Sequence, residues 1–171
     1  MVEACALFTD GSVNPQRRIG IGAVLLLPMT RLTLETRRID AQEIANRTTG
    51  FRFEDTSSTR LEIQTVIRAL EEHHPFAAPP IIYSDSQCVA GLPERRPRLE
   101  INGFRSGRTG RPINHADLYQ QFYRLQDEIG FTVQKVSGHS DYRYQDTVHR
   151  IFHYVDREAR RLLKQWMREL A

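Results

Sequence analysis

The hydrophobic period of this chain changes after Phe53, and that change limits what the chain can fold into. Up to Phe53 the apolar residues come in short runs or alternate with polar ones, as strands require. From Leu61 to Leu70 they fall on one face of a helix, and beyond that point helical and strand-like stretches take turns. Residues 4–10 form the first apolar run; it ends in Asp10, with Gly11-Ser12 directly behind. Residues 12–18 read as a polar turn around Asn14-Pro15, and residues 19–27 as a second strand. Two strands across a short polar turn predict an antiparallel hairpin. Leu32 and Leu34 either extend the second strand or start another, and residues 35–46 read as an irregular or short helical insertion. Residues 47–53 regain β character through Thr48, Thr49, Phe51 and Phe53, which would complete a three-stranded meander.

After Phe53, helices alternate with strands. Leu61, Ile63, Val66, Ile67 and Leu70 share a helical face, and Thr59 and Glu62 have the spacing of a capping box at its start. A proline-containing exit leads to residues 81–85, a fourth strand that again ends in a carboxylate, Asp85. Strand, helix and strand in this order predict parallel pairing through a right-handed crossover. Residues 86–92 read as a short helix and residues 93–111 as a basic, partly irregular segment rich in arginine and broken by proline and glycine. Residues 115–129 resume helical spacing, residues 131–136 alternate as a fifth strand, and Gly138-His139-Ser140 opens a polar loop. Asp146-Thr147 can cap a last helix whose apolar stripe runs from Val148 to Leu170. This order predicts an α/β fold, a mixed sheet with helices on its faces. At 171 residues, with no repeat, low-complexity tract or linker, residues 1–171 are expected to form a single domain.

Charge and cysteine usage narrow the setting. A net charge of +3 and a pI near 9.1 hint at an anionic partner, but a solvated basic surface explains them equally well. Cys5 and Cys88 lie in apolar runs far apart, which reads as two reduced core thiols of a cytoplasmic protein. The N-terminus lacks the pattern of a signal peptide, and no apolar run approaches the ~20 residues of a membrane span.

Four carboxylates stand in matching settings. Asp10 and Asp85 end apolar strands, Glu62 lies near the start of the helix between them, and Asp156 lies on the last helix. If the two strands are neighbours, their carboxylates emerge at one edge of the sheet. Gathered acidic groups repel and are pushed toward protonation unless a cation joins them. An all-oxygen ligand set selects Mg²⁺ or Mn²⁺. Two such ions, about 3.5–4 Å apart, can serve phosphodiester hydrolysis. Each residue also has a plainer reading. Asp10 before Gly-Ser is a turn former, Glu62 closes a capping box, Asp85 caps a short helix, Asp156 pairs with Arg160, and His139 is an exposed imidazole. Taken singly, those readings win.

Taken together, the motifs resemble those of type 1 ribonuclease H. The matching pieces are Thr9-Asp10-Gly11-Ser12 with Asn14-Pro15 and Gly20/Gly22-Ala23, Thr59-Arg60-Leu61-Glu62, Tyr83-Ser84-Asp85-Ser86-Gln87, and Val136-Ser137-Gly138-His139, with Asp156 opening a final helix. They follow the family's order over nearly the whole chain. The resemblance implies a ribonuclease H-like, five-stranded mixed sheet with the first three strands antiparallel and helices on both faces. It implies endonucleolytic cleavage of the RNA strand of RNA–DNA hybrids, with two Mg²⁺ or Mn²⁺ ions when substrate is bound; a monomer is the expected form. Asp10, Glu62, Asp85 and Asp156 would bind the metal, and His139 would assist proton transfer or product departure. Glu158 is the alternative to Asp156, while Asp141 and Asp146 stand in the loop or at the helix cap.

Substrate contacts follow from the same resemblance. Ser58 and Thr59 occupy the places where the family carries two asparagines against the hybrid's minor groove. Asn14 and Gln87 match polar positions near the hybrid, and Ser57 matches a phosphate pocket for the DNA strand. Arg105 and Arg108 belong to the segment in the place of a basic protrusion. Two other classes of function share these motifs: a hybrid-binding module without turnover, and another nuclease on the same fold.

Overall fold

A computed structural model describes residues 2–137 and 146–171. Its sheet has five strands: β1 (Cys5–Asn14), β2 (Ile19–Pro28), β3 (Thr49–Phe53), β4 (Ile81–Ser84) and β5 (Thr132–Lys135). They lie in the order β3-β2-β1-β4-β5. β1 pairs antiparallel with β2, and β2 with β3; β1 pairs parallel with β4, and β4 with β5. The meander and the parallel crossover read from the sequence are both present. β1 is the centre, and its side chains alternate between two buried faces, as expected of a strand covered on both sides.

Helices cover both faces. Leu7, Val24 and Ile82 point into one core with α2 (Ser58–His73), α3 (Gln87–Ile101) and α4 (Ala116–Ile129). Ala6, Phe8 and Leu25 point into the other with α1 (Ala41–Arg47) and α5 (Thr147–Glu169). Residues 35–46, read as irregular or helical, supply α1, capped by Asp40 through the Gln42 backbone N–H. Leu32 and Leu34 form no strand; they lie in and beside a 3₁₀ turn, packed against the α5-side core.

Several boundaries differ from the sequence reading for identifiable reasons. β1 runs on through Gly11-Ser12 to Asn14, so Asp10 lies inside the β1–β2 ladder rather than at its end. The ladder continues because small residues oppose each other there, Gly11 facing Gly22. A Cβ on Gly22 would collide with the Thr65 side chain of α2. Ser57, not Thr59, caps α2, its hydroxyl accepting from the Arg60 N–H. Arg60 then occupies the third helical position, so there is no capping box and Glu62 has no capping duty.

The largest departure is α3, which runs through Pro93 and Pro97 where a break was expected. Each interior proline costs about 3 kcal/mol. Burial of Val89, Leu92 and Leu99, at about 1.5–3 kcal/mol each, offsets that cost. The Tyr123 hydroxyl also donates to the Leu92 carbonyl at 2.7 Å, and Arg96 clasps Asp127 at 2.7 Å. α5 starts where expected, with Asp146 as its cap, so Asp156 lies in its interior and does not open it. Cys5 and Cys88 are free but only half-buried, not core thiols.

Candidate active site

The strand register brings the first two carboxylates together. The β1–β4 pairing ends at Phe8 opposite Tyr83. Two residues further along each chain stand Asp10 and Asp85, at the same edge of the sheet. Glu62 reaches them from α2, which packs across β1. Ligand oxygens of Asp10, Glu62 and Asp85 all lie within 4.8 Å of one another. Gly11 makes room for this approach. A Cβ there would stand 2.9 Å from Leu61 Cδ2 and 3.2 Å from Glu62 Oε1, and its backbone N–H donates to the Glu62 carboxylate.

Burial and mutual repulsion make the cluster costly in its ionised state. Asp10 is 4% exposed, and its carboxyl is held far above the usual carboxylate range. Desolvation is the main cause, followed by the charge of Glu62, a hydrogen bond with Asp156, and the charge of Asp85. Glu62 is pushed up to about 8, first by burial and then by Asp85, with the Gly11 N–H opposing. Among the described residues, the buried Asp10 Oδ2 and Glu62 Oε2 have no hydrogen-bond partner. Unpartnered buried carboxylate oxygens, arranged as a hard all-oxygen set, fit a divalent cation of the magnesium or manganese kind.

Asp156 belongs to the same neighbourhood but not to the tightest group. Its carboxyl lies within hydrogen-bond reach of Asp10, and its Oδ2 receives Arg160 Nη2 at 3.2 Å. Glu158 is instead committed to Arg161, in two bonds of 2.9 and 2.6 Å. Asp146 caps α5 and binds His149 Nδ1 at 2.7 Å. His139 and Asp141 lie outside the described residues.

The expected substrate residues divide into two sets. Ser58, Thr59 and Gln87 line a groove beside Glu62, together with Ser86, Gly91 and Arg95. Ser57 sits one residue before this wall, its hydroxyl engaged as the α2 cap. Asn14 lies at the far end of β1, accepting from the Arg17 N–H and donating to Met167 Sδ at 3.5 Å. Arg105 and Arg108 are exposed on the turn after α3 and do not line the groove; Arg105 donates to the Gly110 carbonyl. The cation in the groove is Arg95, laid over the Tyr119 ring at 5.4 Å. The spacing of Gln87, Gly91 and Arg95, four residues apart each time, carries that signal once α3 is known to pass the prolines.

The family model described as RNase H matches residues 2–161. A protein named Ribonuclease H from Treponema pallidum subsp. pallidum is 28% identical over 150 residues, covering 86% of this chain and 88% of that protein. Another of that name, from Chlorobaculum parvum, is 29% identical over 151 residues, covering 85% and 90%. The solution structure of the PFV RNase H domain has the same fold, with a TM-score of 0.66 at 15% identity over 94% of each chain.

Proposed function

The chain belongs to the ribonuclease H family, and from that premise we propose that it is a metal-dependent endonuclease hydrolysing the RNA strand of RNA–DNA hybrids. The observation that carries this reading is the convergence of Asp10, Glu62 and Asp85 within 4.8 Å, with Asp10 Oδ2 and Glu62 Oε2 buried and without a hydrogen-bond partner among the described residues. Asp10, Glu62 and Asp85 hold the metal, and Asp156 completes the set from α5. Two Mg²⁺ or Mn²⁺ ions bound there with substrate supply an activated water and a stabilised leaving oxygen. Ser58, Thr59 and Gln87 offer hydrogen bonds to 2′-hydroxyls, the groups that separate RNA from DNA. Arg95 faces a phosphate, while Ser57 and Asn14 serve the more distant backbone. His139 handles the proton on the departing oxygen.

Asp10, Glu62 and Asp85 assemble without a residue from a second copy, so the reading takes a monomer as the acting form. Among the described residues no helix is long and apolar enough to cross a membrane. We place the protein in the cytoplasm, where two free thiols persist.

The test is side-by-side incubation of labelled hybrid, duplex DNA, duplex RNA and single strands with Mg²⁺, with Mn²⁺ and with chelator. The reading predicts metal-dependent cleavage of the hybrid's RNA strand. Hybrid binding without cleavage under either metal would leave a binding module in its place, and preferred cleavage of another substrate would leave a different nuclease.

A further inference from the structure

A second groove lies between α1 and α5. Its walls include Gln42 and Asn46 of α1 and Arg157, Arg160, Arg161 and Lys164 of α5. It is the larger of the two grooves described and owes one wall to the insertion that carries α1. Four cations face it against one carboxylate, Glu158, which is buried and already bonded to Arg161. Among the described residues Lys164 has no ion-pair partner. Arg157 lies over the Tyr154 ring at 5.9 Å, and among the described residues no carboxylate pairs with it.

We propose that this α1–α5 groove binds the phosphate backbone of the nucleic acid where it continues beyond the cleavage site. Arg160 makes the connection, since it lines the groove and also pairs with Asp156 at 3.2 Å. A strand whose scissile phosphate sits at the carboxylate cluster therefore meets the basic flank of α5 as it leaves. Arg157 and Lys164 stand seven residues apart, about 10 Å along the axis, so they engage separate phosphates. Gln42 and Asn46, hydrogen-bonded to each other at 2.8 Å, add amide groups from the facing wall. The contacts are to backbone, so they add affinity and footprint without sequence preference. This inference rests on the nucleic-acid reading of the first site.

The experiment measures binding of a short and a long labelled hybrid across a salt series, in chelator so that turnover plays no part. The double variant Arg157→Ala/Lys164→Ala is compared with wild type and with Arg157→Lys/Lys164→Arg, which keeps the charges. The proposal predicts that the alanine pair lowers the slope of log affinity against log salt by about 1–2 on the long hybrid. It predicts no change on the short one, and the wild-type slope for the charge-keeping pair. An unchanged slope on the long hybrid in the alanine pair would overturn the groove while leaving the cleavage reading intact. Reduced slope in a protein that cleaves nothing would uphold the groove and remove the cleavage reading.

Discussion

Asp10 carries most of the site's tension at the residue scale, because it is nearly excluded from water and faces three other carboxyls. The sequence singled it out by position, an Asp behind an apolar run, and Asp85 by the same pattern. Their convergence became legible only with the register, which sets both two residues past the last paired positions. Replacing either by Asn should lower hybrid cleavage by at least about 100-fold, since losing even an outer partner of a metal ligand costs 10–100-fold. Steady-state rates under saturating magnesium check this; retention of half the activity would contradict it. Raised carboxyl pKa values also set a pH dependence. Without metal, Asp10 and Glu62 hold protons in the fold that they release on unfolding. Their contribution to stability is therefore fully present below their ordinary values near 4 and lost as pH rises toward about 8, where Glu62 titrates. A bound cation favours the ionised forms, so added Mg²⁺ should raise the melting temperature more at pH 8 than at pH 5. Equal gains at the two pH values in a thermal scan would count against the cluster as the binding place.

Element boundaries were where sequence periodicity served least well, and capping shows why. Thr59 and Glu62 had the right spacing, yet Ser57 begins the helix, because its extended backbone and free hydroxyl meet the Arg60 N–H. Ser57→Ala should cost about 1 kcal/mol of stability and Thr59→Ala less than about 0.5. Chemical denaturation midpoints separate the two, and the reverse order would restore the cap to Thr59. α3 was hidden for a different reason. Proline is a local signal, whereas burial of Val89, Leu92 and Leu99 against α4 and the sheet is a tertiary one. Pro97, exposed in the helix interior, remains a local burden, and Pro97→Ala should stabilise the protein by about 2 kcal/mol. A lower denaturation midpoint would show that the ring makes a contact the helix depends on. With a helix ending near residue 92, Arg95 has no place beside Glu62, whereas Arg105 and Arg108 stand out by charge and by their position in the segment that matches a basic protrusion.

Across the whole molecule, the two cores hold α2 and α5 on opposite faces of one central strand, so Glu62 and Asp156 approach Asp10 from either side. The order of strands and helices was legible because polar turns separate the first strands and the period changes at each later boundary between strand and helix. The insertion before β3 was legible only as irregular or short helical, since its short turns and single buried helical residue, Ile44, leave no periodic trace that fixes where α1 lies. Its helix nevertheless shapes the polar groove beside α5. Everything functional depends on one physical statement, that acidic side chains from β1, α2 and the end of β4 together cage a divalent cation. Titration of the metal-free protein with Mn²⁺, followed by the relaxation of water protons, reads that directly. Saturable uptake by the wild type, weakened at least about tenfold in Asp85→Asn, is the predicted result. Identical uptake by both proteins would contradict it.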